Sequence, residues 1–318
     1  ERRMDEKRKG AVQHRQRLKQ LLPYFELLAV VLIFAILTKG KILGLDNLIL
    51  ILKQSAVLII CCVGATFVLA HGNMDFSIGA NIALSCGLGC IAGNIHPALF
   101  LPVILVSAVV LDLLMCYIHI SCKVPAIVVS WAMMFCNQGI MTYLSAEFDL
   151  RIPSQFIFLD SNITYILVVL VVVAAGTFLL NYTKLGKYNK AIGANPVNAQ
   201  MNGIRVRRYK YLAYLVCGVC IGIASVLTMA RGRSATVLTA SSMSVNVLIA
   251  VVLGGLPLGG GVKARIHAGV IGALILMILT NGLTMIGVEN TWIGAIKGLV
   301  FLVAVIATFD RKSMSVII

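Results

Sequence analysis

The chain alternates between long apolar runs and short polar segments, with one large polar island near its middle. The apolar runs cover about residues 21–38, 47–70, 78–94, 97–119, 124–144, 163–182, 209–230, 246–256, 265–286 and 292–309. Most of them approach or reach the roughly 20 residues that an α-helix needs to cross a bilayer. The pattern predicts an all-α polytopic membrane protein, with about ten transmembrane helices in a single domain at residues 21–312.

Two of the predicted spans end in polar or glycine-rich breaks. HGNMDFSIGA follows the second span at residues 71–80, and GGLPLGGG follows the eighth at residues 254–261. Each break precedes a helix rich in small residues, and NQG at 137–139 has a loose counterpart in IKG at 296–298. Such repeated broken helices are typical of a transport pathway at the interface of an internal repeat. A chance similarity between glycine-rich membrane turns is the alternative.

The polar island covers residues 183–210 and carries seven Lys and Arg residues but no acidic one. Asn195 suits a helix N-cap, and Pro196 suits the first helical position. Gly203 suits a left-handed C-cap. These signals predict a helix of about two turns at residues 196–202. Because so short a helix is not stable alone in water, we expect another protein to hold it.

The composition also favours a membrane protein. The 318 residues are 59% hydrophobic and 12% charged, with a mean hydropathy of +0.96, whereas soluble domains carry about a quarter charged residues. The net charge of +15 does not indicate nucleic-acid binding, because the basic residues cluster at alternate ends of the apolar runs. The positive-inside rule places a basic tail at 1–20, the polar island and the C-terminal tail at 313–318 in the cytoplasm. Both termini are therefore expected inside, with anionic membrane lipid as a partner.

Motifs of catalytic chemistry are missing from the sequence. The phosphate-binding pattern G-x-x-x-x-G-K-[ST] does not occur, and neither do H-E-x-x-H or G-x-S-x-G. Eight of the nine cysteines lie inside apolar segments, where cysteine behaves as a small hydrophobic residue. We therefore predict no catalytic residue, no metal site and no disulfide framework.

Several segments, in order along the chain, carry a resemblance to a known family. They are GATFV at 64–68, GNMDFSIG at 72–79, VPA at 124–126, GKYNKAIGANPVNAQMNGI at 186–204, IAVVLGG at 249–255, NG at 281–282 and KG at 297–298. The chain resembles the permease subunits of bacterial ABC importers of the ribose type, in the branched-chain permease superfamily. The match covers almost all of the chain after the N-terminal tail, and 186–204 is its most diagnostic part.

The resemblance implies a transport subunit, not an enzyme, in the bacterial cytoplasmic (inner) membrane. Two permeases, identical copies or paralogues, cross the membrane together. Each docks a separate ATP-binding cassette ATPase, which binds ATP and Mg²⁺, so that this chain itself binds no cofactor. An extracytoplasmic substrate-binding protein delivers the ligand, expected to be a sugar, to the outer loops at 145–162 and 230–246.

The resemblance assigns ATPase coupling to the island, between the sixth and seventh spans. Residues 183–210 are then the cytoplasmic coupling loop, and its short helix is the coupling helix. The expected coupling residues are Gly193, Asn195, Pro196, Val197, Ala199, Met201, Gly203 and Ile204.

Polar and glycine residues near the breaks are candidates for the translocation pathway. A carboxylate at membrane depth, such as Asp75, is a functional candidate, although capping of the third span by Asp75 or Ser77 is the favoured interpretation. Asp112 lies within the fourth span and needs a partner that the sequence does not identify, and Lys53 is expected to reach the outer surface. The pathway candidates are Gly72, Asp75, Ser77, Asn137, Gly254, Gly255 and Asn281.

Two alternatives to a sugar importer remain open. The same importer class can carry a nucleoside or a furanosyl signalling molecule. An ion-driven secondary transporter would instead use Asp75 or Asp112 for proton or sodium coupling, but it would not need a capped, exposed helix in its largest inner loop.

Overall fold

A computed structural model describes residues 23–256, 260–261 and 264–308. The predicted tails at 1–20 and 313–318 lie outside the described residues. The helices are α1 Pro23–Leu37, α2 Leu45–Ala70, α3 Ile78–Ile95, α4 Phe100–Ser121, α5 Ala126–Glu147, α6 Asn162–Tyr182, α7 Lys184–Ala194, α8 Pro196–Met201, α9 Val206–Gly232, α10 Met243–Leu253, α11 Ile266–Met285 and α12 Asn290–Thr308. Short 3₁₀ turns occupy Lys41–Leu43, Pro97–Leu99 and Ser154–Asp160.

Seven helices of the described chain are long and apolar enough to cross a membrane, namely α2, α3, α4 with its preceding turn, α5, α6, α9 and α11. The prediction of an all-helical, multi-pass membrane protein is confirmed. The count of about ten spans is not, because α1, α10 and the apolar part of α12 are shorter in the described residues. The 11 residues of α10 extend about 16 Å, roughly half of the hydrocarbon core.

The helices sort into a central and a peripheral group by burial. In α3 and α11, 72% of the most apolar window is buried, and in α2 67%. In α6 only 17% is buried and in α5 28%, so that these two helices present large apolar side chains outward. An apolar surface of this extent fits lipid or another membrane subunit.

The two predicted outer loops lie side by side at one end of the molecule. Ala235 donates its amide to the carbonyl of Leu150 over 2.8 Å, and Ile152 donates to Arg233 over 3.0 Å. A surface formed by both loops together is therefore available to a partner at this end.

Lys53 reaches the predicted outer loop at 145–162, where its side chain is only 17% exposed. Its ammonium lies 2.8 Å from a carboxylate oxygen of Asp160 and 5.4 Å from the ring centre of Tyr165. The hydroxyl of Tyr165 also donates to Asp160, over 3.3 Å. Because Asp160 offers an opposite charge close by, the lysine stays at this junction between α2 and the start of α6.

The polar island contains more helix than predicted. Its first part forms α7, whose buried residues Gly186, Asn189 and Ile192 recur every three positions and pack on the bundle. The predicted short helix follows as α8, and α9 begins at Val206. The island is thus a helical arm that rests against the bundle.

Candidate functional site

The two breaks meet at the end of α2. The first break is residues 71–77, and the second is residues 254–265, of which 257–259 and 262–263 lie outside the described residues. Gly261 in the second break donates its amide to the carbonyl of Ala70 over 3.0 Å. A Cβ added at Gly260 would overlap the carbonyl of Leu69 and the amide of Gly72. The backbones of the two breaks are therefore in direct contact.

Gly193 of α7 packs on the same carbonyl. A Cβ at Gly193 would overlap the oxygen of Ala70 and would come within 2.8 Å of the Gly261 nitrogen. The absence of a side chain at Gly193 allows this close approach. The polar island thus contacts the end of α2 and the second break at one point, which we call the Ala70 junction: Ala70, Gly193 and Gly261.

Ser244, at the start of α10, links this helix to the first break. Its hydroxyl donates to the carbonyl of Phe76 over 2.7 Å and accepts the amide of Gly79 over 2.9 Å. Gly79 is in the first turn of α3, where amide groups have no partner within the helix. The sequence favoured Asp75 or Ser77 as the cap of this helix, but the side chain of Ser77 makes no capping bond. Ser244 supplies an acceptor from a distant part of the chain instead.

Asp75 stabilises the first break locally. One carboxylate oxygen accepts the amide of Ser77 over 2.7 Å and its hydroxyl over 2.6 Å. Gly72 begins the break with a φ of 80°, a conformation that L-residues rarely adopt. These contacts fix the turn between α2 and α3.

A histidine connects the first break to three helices. Nε2 of His119, near the end of α4, lies 3.2 Å from the amide nitrogen of Asn73 and 3.3 Å from the ammonium of Lys210 in α9. Its Nδ1 lies 2.7 Å from the carbonyl of Val124, which precedes α5. These contacts fit a neutral imidazole that donates from Nδ1 and accepts at Nε2. The sequence did not single out Lys210 or His119 for this role, because their contacts join residues far apart in the chain.

The remaining pathway candidates are dispersed. Asn137 of α5 donates to the side-chain oxygen of Asn81 in α3, so it joins two helices. Gly254 packs against the backbone of Ala268 in α11, and Gly255 has a φ of 82°. Asn281 is buried in α11 and its side-chain oxygen has no hydrogen-bond partner among the described residues. The structure therefore brings the first break, which contains Gly72, Asp75 and Ser77, together with the second break. In the described part of the chain, the side chains of Asn137 and Asn281 form no hydrogen bond to either break.

The short helix α8 is closed at both ends by its own sequence. The side-chain oxygen of Asn195 accepts the amides of Val197 and Asn198, each over 3.0 Å. Gly203 has a φ of 78°, its amide donates to Gln200, and the next amide donates to Ala199. This pair of bonds is the Schellman arrangement for ending a helix. The predicted N-cap at Asn195 and the left-handed conformation of Gly203 are confirmed, and the helix is Pro196–Met201, one residue shorter than the predicted 196–202.

The outer face of α8 is apolar and open. Ala199 is 4% exposed and faces the bundle, whereas Val197 is 58% exposed and Met201 80% exposed. Because Val197 and Met201 are four residues apart, they lie on one face of the helix. Pro196 is the first residue of the helix. Ile204, which follows its C-terminal end, is half-buried.

An open concavity adjoins this face. It has a volume of about 400 Å³ and is lined by Tyr188, Asn202, Gly203, Ile204, Arg205, Arg208 and Tyr209. Two tyrosines form its wall with an edge-to-face contact, with ring centres 4.8 Å apart. The concavity is positively charged because Arg205 and Arg208 line it, so that an acidic group would be favoured there. In α7, burial lowers the pKa of Lys190, and the positive charge of Arg265 lowers it further.

These contacts form a continuous series of packed segments. It runs from α8 to α7, from Gly193 of α7 to Ala70 at the end of α2, and from Ala70 to Gly261 in the second break.

Comparisons with known proteins were made for the whole chain. A family model described as the permease component of the branched-chain amino acid transport system matches residues 47–305. The ribose import permease protein RbsC of Bacillus subtilis is 31% identical over 306 residues, which cover 93% of this chain and 94% of that protein. RbsC of Escherichia coli K12 is 28% identical over 314 residues, with 92% and 94% covered. The xylose transport system permease protein XylH of Haemophilus influenzae is 25% identical over 366 residues, with 92% and 97% covered. No solved structure matches the chain significantly.

Proposed function

Because the chain belongs to the family of permease components of the branched-chain amino acid transport system, we propose that it forms the membrane pathway of an ATP-driven sugar importer. The resemblance to ribose-type permeases is confirmed by relatives that cover more than nine-tenths of the chain. Those relatives are named as ribose and xylose permeases, which supports a sugar as the substrate class. The sequence-based alternatives were a nucleoside and a furanosyl signalling molecule, which share a sugar ring.

The observation that carries the proposal is the contact of the polar island with the end of α2 and the second break. The capped helix α8 exposes Val197 and Met201, and α7 connects it to the Ala70 junction. We infer that α8 is the coupling helix, so that movement of a docked ATPase is transmitted through Gly193 to the breaks. A secondary transporter driven by an ion gradient would have no use for this surface.

The partners follow from this assignment. A separate ATPase subunit binds ATP and Mg²⁺ and docks on α8, with apolar contacts to Val197 and Met201 and acidic groups opposite Arg205 and Arg208. A second permease, a copy or a paralogue, packs on an apolar helix face to complete the pathway. A substrate-binding protein docks on the paired loops at 148–161 and 233–242 at the opposite end. The complex lies in the bacterial cytoplasmic membrane, with the island and both chain termini in the cytoplasm.

A pair of matched substitutions tests the coupling surface. Met201→Asp places a charge in the apolar face of α8, whereas Leu238→Asp places one at the opposite end; the two side chains are 80% and 79% exposed. The chain is co-expressed with its partner ATPase, and the complex is purified in detergent and reconstituted for sugar uptake. We expect M201D to lose the ATPase and ATP-driven uptake, and L238D to retain the ATPase.

Two results would contradict the proposal. One is retention of the ATPase by M201D at the wild-type ratio. The other is uptake that continues without ATP and stops when the proton or sodium gradient is dissipated. The second result would identify a secondary transporter.

A further inference from the structure

A buried cluster of ligand-type side chains lies behind the first break. A carboxylate oxygen of Asp75, one of Asp112 and the sulfur of Cys217 lie within 4.8 Å of one another. Asp75 comes from the first break, Asp112 from the middle of α4 and Cys217 from α9. Three segments far apart in the chain therefore converge on one point.

The carboxylates of this cluster lack the partners that buried charges normally have. Asp112 is 0% exposed, and neither of its carboxylate oxygens has a hydrogen-bond partner outside the cluster, where Asp75 and Cys217 are its neighbours; Oδ2 of Asp75 also has none outside it. The ion pairs of the described residues are Lys53–Asp160 and Arg151–Asp149, and neither involves this cluster. Buried charged groups are in general either paired or bound to a metal.

A fourth polar group points to the same place. Tyr214, one turn before Cys217 in α9, is 0% exposed, and its hydroxyl makes no hydrogen bond of normal length, although the side chain of Asn73 lies close to it. The phenol lies within electrostatic range of both Asp75 and Asp112. A buried hydroxyl without a partner costs free energy unless something else binds it. This observation is independent of the acidic pair.

A small cavity borders the cluster at Asp75. It has a volume of about 20 Å³ and is lined by Asp75, Phe76, Ser244 and apolar residues of α2, α3 and α10, but not by Asp112, Cys217 or Tyr214. That volume is close to the amount that a single water molecule needs. A water ligand on the Asp75 side of an ion fits these dimensions, and a sugar does not.

We propose that Asp75, Asp112, Cys217 and Tyr214 bind one divalent metal ion. One carboxylate and the Cys217 thiolate, whose proton passes to solvent on binding, balance the two positive charges of the ion, and the second carboxyl stays protonated and binds through its carbonyl oxygen; this donor set is suitable for Zn²⁺ or Co²⁺. Tyr214 contributes its hydroxyl oxygen or donates a hydrogen bond to a ligand carboxylate. The ion would connect the first break to α4 and α9. This proposal departs from the sequence-based prediction of no metal site.

Co²⁺ provides a direct test, because a thiolate ligand produces an intense sulfur-to-cobalt absorption band. The full-length chain is purified, treated with a chelator, loaded with Co²⁺ or Zn²⁺ and freed of excess metal. We expect about one ion per chain, the thiolate band in the Co²⁺ form, and a higher melting temperature with metal than without.

Isosteric substitutions and a matched cysteine identify the ligands. Cys217→Ser is expected to abolish the thiolate band, and Asp112→Asn to weaken Zn²⁺ binding by about 100-fold or more. Cys220→Ser is the control, because Cys220 is also buried in α9 but lies outside the cluster. It should retain the band and the stoichiometry.

The wild-type chain can refute the proposal without any variant. If it binds less than about one-tenth of an ion per chain and shows no thiolate band, the site does not bind a metal and the two carboxylates share a proton instead. Equal binding by wild type, C217S and D112N would also overturn the assignment. Neither result depends on whether the chain transports a sugar.

Discussion

Gly261 donates its backbone amide to the carbonyl oxygen of Ala70 over 3.0 Å. This bond joins the end of α2 to the second break, although almost two hundred positions separate the two residues. Gly193 packs on the same oxygen, so that the island, the end of α2 and the second break meet at one contact. We therefore expect a displacement of α7 to disturb the end of α2 and the second break together.

The first prediction concerns Gly193, where there is no room for a methyl group. Gly193→Ala places a Cβ on the Ala70 carbonyl, and overpacking of this kind costs about 1–3 kcal/mol. Because the neighbour is backbone, α7 must shift, so we expect a lower melting temperature and a large loss of ATP-driven uptake. Gly139→Ala is the matched control, since the α5 site has open space. If G193A transports as well as G139A, the Ala70 junction does not transmit movement.

The second prediction concerns the link between α10 and the first break. Ser244→Ala removes the acceptor for Gly79 and the donor to Phe76. A buried amide left without a partner costs about 1–3 kcal/mol, so thermal unfolding in detergent should begin several degrees lower. Ser145→Ala is the control, because its exposed hydroxyl bonds only within α5. Equal melting temperatures for the two variants would show that Ser244 does not stabilise the break.

The third prediction concerns the ends of α8. Asn195→Ala removes a cap that accepts two amides, at about 1 kcal/mol. Gly203→Ala forces alanine into a φ of 78°, at about 1–2 kcal/mol. Since α8 lies outside the transmembrane bundle, both variants should insert normally, but ATP hydrolysis should continue with less sugar transported per ATP. Gly232→Ala, in open space at the end of α9, should retain the wild-type ratio.

The α8 prediction succeeded because the necessary information is local. A cap residue, a proline and a glycine within nine positions determine both ends of the helix, whatever surrounds it. The break after α10 was predictable for the same reason, because a glycine pair at 254–255 interrupts the apolar run. These signals depend on backbone conformation and do not depend on tertiary contacts.

Other features depend on contacts between distant segments and were not predictable. The helix α7 was missed because its three lysines make it appear polar, although Gly186, Asn189 and Ile192 recur at helical spacing. The neighbours of Asp112 were not predictable from the sequence. Asp75 of the first break and Cys217 of α9 approach it only in the folded bundle. Hydrophobic patterning gives the elements, but the pairing of polar side chains inside the bundle depends on which helices are neighbours.

The last prediction concerns the ion pair of Lys53 and Asp160. Its side chains are 17% and 28% exposed, so that the pair is neither a surface pair nor a fully buried one. Loss of one partner lowers the free energy of unfolding by about 0.2–1 kcal/mol for surface pairs and by roughly 3–5 kcal/mol for buried pairs, and we expect a value between these ranges. We expect Lys53→Met and Asp160→Asn each to cost about 1–3 kcal/mol. The double variant should cost less than the sum of the two single variants, because it leaves no unpaired charge.

The exposed pair of Arg151 and Asp149, at 79% and 70% exposure, provides the comparison. Its coupling energy should be below about 1 kcal/mol and should vanish in 1 M salt, where the screening length is about 3 Å. The coupling of Lys53 to Asp160 should persist there, because protein covers most of both groups and the ring of Tyr165 lies beside the ammonium. Thermal unfolding of each set of variants at low and high salt measures both energies. Additive effects of K53M and D160N would mean that the two side chains do not interact, and that the start of α6 is positioned by apolar packing alone.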